Sequence, residues 1–155
     1  MGRKSDLQWI LDKQIHWISA ADTKLFVLIP VPLALLSVLL NAWEGDPFTL
    51  NSHTLPFWFS TVSLVAALAF ALGCLVSRTK STRISQIFFG DIVSTGHESY
   101  RELSGLKDLP TEEDLIAQIC VNANIALQKH KNARRSAYAL AVSLVPTLFC
   151  ILVEN

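Results

Sequence analysis

Charged residues are absent from three long stretches of this 155-residue sequence, in which only 17% of all residues are charged. The stretches are residues 25–43, 55–77 and 136–153, which contain 19, 23 and 18 residues. As helices, they are about as long as the hydrocarbon core of a bilayer is thick, roughly 30 Å. A helix of a soluble bundle rarely keeps every face apolar over five turns. The pattern therefore argues against a soluble domain and predicts three transmembrane helices.

The sequence also lacks the motifs that carry common enzyme chemistry. It contains no phosphate-binding P-loop, no GxGxxG, no HExxH and no GxSxG. Its three cysteines, Cys74, Cys120 and Cys150, form no CxxC pair, and its four histidines are far apart along the chain. We therefore expect a protein that is not an enzyme, with no catalytic site, no metal site and no cofactor.

Lysine and arginine are missing from residues 44–54 and from the tail that follows Val153. All 13 of them lie in residues 1–24 and 77–136. Cytoplasmic segments of membrane proteins carry an excess of these residues. The distribution therefore predicts that the N-terminus and the long segment between the second and third spans are cytoplasmic, and that the C-terminus faces outside.

These patterns divide the chain into six segments of an all-α integral membrane protein. We expect a cytoplasmic amphipathic helix at 1–24, the first span at 25–43, an outer loop at 44–54, the second span at 55–77, a cytoplasmic domain at 78–135 and the third span at 136–153. No glycine or proline occurs between Thr111 and Val145. The third span should therefore be continuous with a long cytoplasmic helix, which Thr111 caps. Pro30 and Pro32 should kink the first span.

Four cations precede the third span directly, and we treat them as candidate ligand-binding residues: Lys129, Lys131, Arg134 and Arg135. The last three share one helix face through their i, i+3 and i+4 spacing. One interpretation is a collar of side chains that reach the inner surface of the membrane. The other is a ring of positive charge around a cytoplasmic vestibule of an oligomer, where the cations bind phosphates. The two interpretations are compatible.

Uncharged polar residues within the spans are the candidates for a pore or a gate, and we select Ser37, Asn41, Ser143 and Thr147. None of them is ionisable, so the sequence does not favour a proton relay or an ion-coupled carrier. Their polar groups either line a pore or, in the case of the hydroxyls, bond to the backbone of their own helix.

Small residues recur in the second span at the spacing that allows close helix contacts in lipid. Ala69 with Gly73 and Ala67 with Ala71 are both small-xxx-small pairs. They predict either an interface between protomers or packing against the other spans of the same chain.

Three blocks of the sequence together resemble a known family. They are Ala21-Asp22-Thr23-Lys24 before the first span, residues 88–92 (Phe-Phe-Gly-Asp-Ile) followed by Tyr100 and Leu103, and the long helix with Lys129 and residues 131–135. Over nearly the whole chain they resemble the Pycsar-type transmembrane effector domain of bacterial antiphage defence systems. The resemblance implies an oligomeric effector of the bacterial inner membrane. The outer side that the charge distribution predicts for the C-terminus is then the periplasm. Such an effector stays silent until a nucleotide signal arrives and then compromises the membrane.

The nature of the signal stays open. The resemblance implies a cyclic nucleotide made by a partner cyclase, but this chain shows neither a separate cyclic-nucleotide domain nor a phosphate cassette. Related small channel effectors work with a nucleotidyltransferase that makes short single-stranded DNA, and a basic vestibule also suits that ligand. We therefore keep a cyclic nucleotide and a short single-stranded oligonucleotide as the two alternatives.

A three-span chain cannot enclose an aqueous path alone, so we expect a homo-oligomeric ion channel or pore in the lipid bilayer, with a tetramer as the working assembly. The alternative is a membrane scaffold that conducts nothing and recruits a cytoplasmic partner through Ile116, Ile119 and Tyr100.

Overall fold

The protein is described by a computed structural model that covers residues 2–43, 54–76 and 112–153. Within these ranges every regular element is an α-helix. In chain order the five helices are α1 (Arg3–Thr23), α2 (Leu25–Leu28), α3 (Pro30–Ala42), α4 (Thr54–Leu75) and α5 (Glu112–Val153). The all-α class predicted from the sequence is confirmed.

Some sequence predictions fall outside the described residues. They concern the outer loop, residues 77–111 of the predicted cytoplasmic domain, the helix cap at Thr111, and the family block at 88–92 with Tyr100 and Leu103. These remain predictions.

Two interruptions of the regular helix delimit α2, one directly before the first apolar run and one within it. Lys24 separates α1 from α2, and Ile29 separates α2 from α3. Pro30 and Pro32 have no amide hydrogen, and the fixed φ of proline suits the first turn of a helix, so α3 begins at Pro30. The amide of Ile29 still donates to the carbonyl of Leu25 at 3.1 Å. The regular helix is thus interrupted at Ile29, directly before Pro30, and the kink itself stays a prediction.

A single helix, α5, runs for 42 residues. Its first turn contains Glu112, Glu113 and Asp114, whose carboxylates favour the positive end of the helix dipole. Pro146 lies within the helix without ending it, as is common in transmembrane helices. The structure confirms that the third apolar run continues a long polar helix.

The chain divides into two compact units, residues 1–20 with 77–127 and residues 21–76 with 128–155. In the first unit, Arg3 Nε lies 3.6 Å from Glu112 Oε2. Both side chains are well exposed, so this ion pair contributes little to stability. Leu115 is buried in the same unit.

In the second unit, α2 and α3 pack on α4, and residues 128–153 of α5 belong to the same core. Two clusters of buried side chains form this core: Leu25, Leu28, Ala71, Cys74 and Ala133 make the first, and Leu39, Phe57, Leu64 and Cys150 make the second. Trp43 closes the second cluster by stacking on Phe57, with ring centroids 4.3 Å apart. Ala67 and Ala71 are fully buried, so this small-residue pair packs within the chain.

The outer surface of the second unit is apolar, whereas several of its buried positions are polar. Val62, Val145 and Leu152 are 63%, 76% and 76% exposed, while Ser60 and Ser136 are fully buried. This reverses the arrangement of a soluble domain and suits a surface in contact with lipid. Three helical segments, Arg3–Ala42, Thr54–Leu75 and Glu112–Leu152, are long and apolar enough to cross a membrane. The protein is a membrane protein with three candidate spans.

Candidate functional site

Lys129 lies at the start of the α5 segment that belongs to the second unit, and its side chain is buried. The ammonium Nζ donates to Asp22 Oδ1, on the last turn of α1, at 2.5 Å. Only 11% of the Lys129 side chain is exposed, against 42% of the Asp22 side chain. The carbonyl of Lys129 also accepts a weak hydrogen bond from Cys74 Sγ at 3.5 Å. Lys129 is therefore engaged in contacts within its own chain.

The other three candidate ligand residues, Lys131, Arg134 and Arg135, are exposed. Successive residues of a helix are rotated by about 100°, so these three point away from Lys129. The guanidinium carbon of Arg135 lies 5.8 Å from the centre of the Phe70 ring on α4, within the range of a cation–π contact. The structure thus separates the predicted cluster into one buried cation and three exposed ones.

Two side-chain hydrogen bonds fix the register of α5 against α4. Asn132 Nδ2 donates to the carbonyl of Gly73 at 3.1 Å, and Ser136 Oγ donates to the carbonyl of Ala67 at 2.7 Å. The four cations therefore lie level with the last turns of α4, which carry no charge. Charged side chains beside an uncharged span are most stable where the membrane meets water. This level of the helices is therefore where the collar interpretation of the cations expects the membrane boundary.

The face of α5 that carries the exposed cations continues as an apolar face. One to four turns further along it come Tyr138, Val142 and Val145, which are 63%, 52% and 76% exposed. Large apolar side chains of this kind suit contact with lipid tails or with another membrane helix.

The four candidate pore residues form two pairs that the structure does not bring together. Ser37 and Asn41 are exposed on α3, and Asn41 Nδ2 lies 3.5 Å from Ser37 Oγ. Ser143 and Thr147 are buried on α5, at 0% and 1% exposure. The hydroxyl of Ser143 donates to the carbonyl of Leu140 at 2.7 Å. The hydroxyl of Thr147 has no hydrogen-bond partner within the part of the chain that the structure describes.

Ser37 and Asn41 belong to a continuous exposed face that we call the α3 strip: Pro30, Ala34, Ser37 and Asn41. It lies opposite the buried face of α3, which contains Pro32 and Leu39. Among the exposed residues of the ranges 25–43, 54–76 and 136–152, only Ser37, Asn41 and Tyr138 have a hydroxyl or amide side chain. The α3 strip is therefore an unusually polar part of an otherwise apolar surface.

An apolar groove lies at the N-terminal end of α4, lined by Leu55, Pro56, Trp58, Phe59, Val62 and Pro146. Its lining offers almost no polar atom, so it suits hydrocarbon and does not suit a charged nucleotide. Within the described ranges no group of three or more histidine, cysteine or acidic side chains is arranged to hold a metal ion.

Sequence reasoning missed the pairing of Asp22 with Lys129, because it treated Asp22 only as part of the block that precedes the first span. The signal was present in the sequence. Opposite charges precede the first and third apolar runs, and two spans that run in the same direction bring their N-terminal ends to the same depth. The bonds of Asn132 and Ser136 to α4 were missed as well, because a helix face reveals its partner only after packing.

The comparison with known families agrees with this arrangement of helices. Residues 6–153 match the family described as the Pycsar effector protein domain, PycTM. No curated protein and no solved structure matches the chain significantly. The family match covers almost the entire chain, and it confirms the resemblance noted in the sequence. The chain belongs to the Pycsar effector protein domain family.

Proposed function

We propose that the protein is a non-enzymatic antiphage effector that forms a homo-oligomeric ion channel or pore in the bacterial inner membrane. A nucleotide signal at its cytoplasmic side opens or closes this path. The family assignment supports an antiphage effector that answers to a cyclic nucleotide, and the three candidate spans support a membrane location. A partner cyclase or nucleotidyltransferase supplies the signal in this proposal.

The observation that carries the channel proposal is the α3 strip. The amide of Asn41 has several hydrogen-bonding groups, and its contact with Ser37 at 3.5 Å is long. In lipid, a polar group without partners costs free energy, and such groups promote association of transmembrane helices. If copies of α3 converge on a common axis, these side chains can form hydrogen bonds with water and with the same residues of the other copies. A tetramer is the working assembly.

Ser143 and Thr147 have a different place in this proposal. Because they are buried inside the second unit, they face the path only if activation separates α5 from its neighbours. We therefore assign the lining of the path to Ser37 and Asn41, and we keep Ser143 and Thr147 as residues that a gating movement would expose.

The signal is proposed to meet the protein at the cations of α5. Lys131, Arg134 and Arg135 are exposed and offer guanidinium and ammonium groups to phosphates, while Lys129 adjoins them from the buried face. The N-terminus and these cations are cytoplasmic in this proposal, and the C-terminus is periplasmic. The charge distribution along the sequence supports that orientation.

The experiment is flux through liposomes that contain the purified protein. The four common 3′,5′-cyclic nucleoside monophosphates and a short single-stranded DNA are added one at a time, and release of a small anion and a small cation is recorded. The proposal expects one of these compounds to change flux in the wild type. It also expects Arg134→Ala with Arg135→Ala to remove the response without reducing the amount of protein inserted.

Salt dependence distinguishes the two classes of signal. A strand that contacts several cations releases several counterions, so its affinity falls steeply as salt rises, whereas a ligand with one phosphate gives a shallow slope. If no compound changes flux and the protein instead retains a cytoplasmic partner on membranes, the scaffold alternative replaces the channel. If the double variant inserts poorly and its response follows the inserted amount, the cations are only a membrane collar.

A further inference from the structure

The junction between α1 and α2 is held in the second unit by one ion pair and a small apolar cluster. Asp22 stands on the last turn of α1, directly before the break at Lys24. On the other side of the break, Leu25 and Leu28 pack against buried side chains of α4 and α5. The Asp22–Lys129 contact is therefore the charged connection between the point where the chain enters its first span and the point where it enters its third.

The two members of the pair differ in how much water they meet. The Asp22 side chain is 42% exposed, whereas the Lys129 side chain is 11% exposed. If the contact opens, water hydrates the Asp22 carboxylate at once, but the Lys129 ammonium is left buried without its counter-ion. A buried charge without a partner is strongly unfavourable, so Lys129 must then move into water. Such a contact favours two distinct states over a gradual loosening.

An ion pair of this kind adds little net stability compared with apolar side chains of similar size, because both ions lose water when they are buried. Its distinctive property is structural specificity, because the pair determines which part of α1 lies beside which part of α5. Asp22 lies three residues before the first apolar run, and Lys129 lies seven residues before the third. A change in their contact therefore acts near the start of two candidate membrane helices.

We propose that the Asp22–Lys129 pair is a latch that holds the effector in its silent state, and that the nucleotide signal acts by opening it. The latch rests on the proposed function, since it regulates the same channel. Loss of either charge should therefore imitate the signal. Reversal of both charges should restore the silent state, because the attraction is kept while the residues are exchanged.

The test measures membrane permeability in cells that receive no signal, together with the amount of inserted protein. Asp22→Asn and Lys129→Gln should each raise permeability by about tenfold or more, within the usual range for coupling between sites. The combination Asp22→Lys with Lys129→Asp should return permeability close to the wild-type value. Asp12→Asn and Lys13→Gln are the matched controls, because they remove the same charges from exposed positions of α1 and should leave the protein silent.

Three results would overturn the latch. The first is that the single variants do not differ from wild type in permeability or in their need for a signal. The reversed pair can be as leaky as the single variants. Finally, the single variants can fail to insert while the reversed pair restores only the inserted amount, which would make the pair a contributor to stability alone.

The same variants in liposomes separate this proposal from the proposed function. If wild type responds to one of the cyclic nucleotides or to the single-stranded DNA and Asp22→Asn still requires that compound, the latch fails and the channel remains. If neither wild type nor any variant permeabilises liposomes under any of these conditions, the channel itself fails and the latch fails with it.

Discussion

Two pairs of polar residues look alike in the sequence and differ in the fold: Ser37 with Asn41 on α3, and Ser143 with Thr147 on α5. Each pair has i, i+4 spacing inside an uncharged run. The first pair is exposed on an otherwise apolar surface, and the second is buried between helices. The comparison shows that the role of a polar residue in a membrane helix depends on whether its face is exposed or buried, which the spacing alone does not reveal.

The physical difference is the solvent that each pair would meet. A hydroxyl inside the bundle can bond to a backbone carbonyl, as Ser143 does to Leu140, and needs nothing from outside the chain. An amide on the lipid-facing surface has no such supply of partners and must obtain them from water or from another copy. The exposed pair therefore supports the proposed assembly and conduction, whereas the buried pair packs within the chain unless a gating movement exposes it.

The largest effect should come from removing the exposed pair. We expect Ser37→Ala with Asn41→Leu to reduce signal-dependent ion flux by about an order of magnitude or more, because an apolar constriction repels water and ions. Flux in liposomes, normalised to inserted protein, measures the change. Unchanged flux in this variant would mean that the exposed pair does not line the conducting path.

A smaller effect is expected where α4 and α5 approach closely. A Cβ at position 73 would lie 3.2 Å from Asn132 Nδ2, so Gly73→Leu should displace the amide that bonds to the carbonyl of Gly73. We expect a loss of about 1–3 kcal/mol in stability, as for other overpacked sites. Ala69→Leu is the control, since Ala69 is exposed and the added atoms meet lipid. Thermal unfolding in detergent compares the two, and equal losses would contradict the packing described here.

Removal of one buried hydrogen bond should cost less. Ser136→Ala deletes the donor to the carbonyl of Ala67, and hydrogen bonds between membrane helices contribute about 0.6 kcal/mol on average. We expect a small decrease in unfolding temperature with normal flux. A large loss of flux at normal stability would mean that Ser136 faces the conducting path.

The smallest effect should come from Thr147→Val. The Thr147 hydroxyl is buried and has no partner among the described residues, so exchange for a methyl group removes an unsatisfied polar atom. We expect stability equal to or slightly above that of wild type, and unchanged flux. Reduced flux would mean that the Thr147 hydroxyl contributes to the conducting path.

The sequence alone predicted the spans, the continuous third helix and the interruption near Pro30, because these follow from local properties. An uncharged run of adequate length partitions into lipid whatever its neighbours are, and proline lacks an amide hydrogen in every context. The family resemblance also followed from short contiguous blocks.

The sequence could not show that the pair on α3 is exposed and the pair on α5 is buried. Helical spacing shows which residues share a face, but it does not show whether another helix covers that face. The contact of Asp22 with Lys129 joins residues 107 positions apart. The opposite charges before the first and third apolar runs are compatible with this contact, but they do not select these two residues as partners. The same reason explains why four adjacent cations read as one cluster, although the fold buries Lys129 and exposes the other three.

The most direct test of the central claim is the accessibility of single cysteines during flux. Cysteine is placed at position 37, 41, 143 or 147 in a background with Cys74→Ser, Cys120→Ser and Cys150→Ala, and a charged, membrane-impermeant thiol reagent is applied to signal-activated liposomes. We expect the reagent to react at positions 37 and 41 and to change flux there. Positions 143 and 147 should react more slowly, and only after activation. Rapid reaction and block at 143 and 147, with none at 37 and 41, would contradict the account.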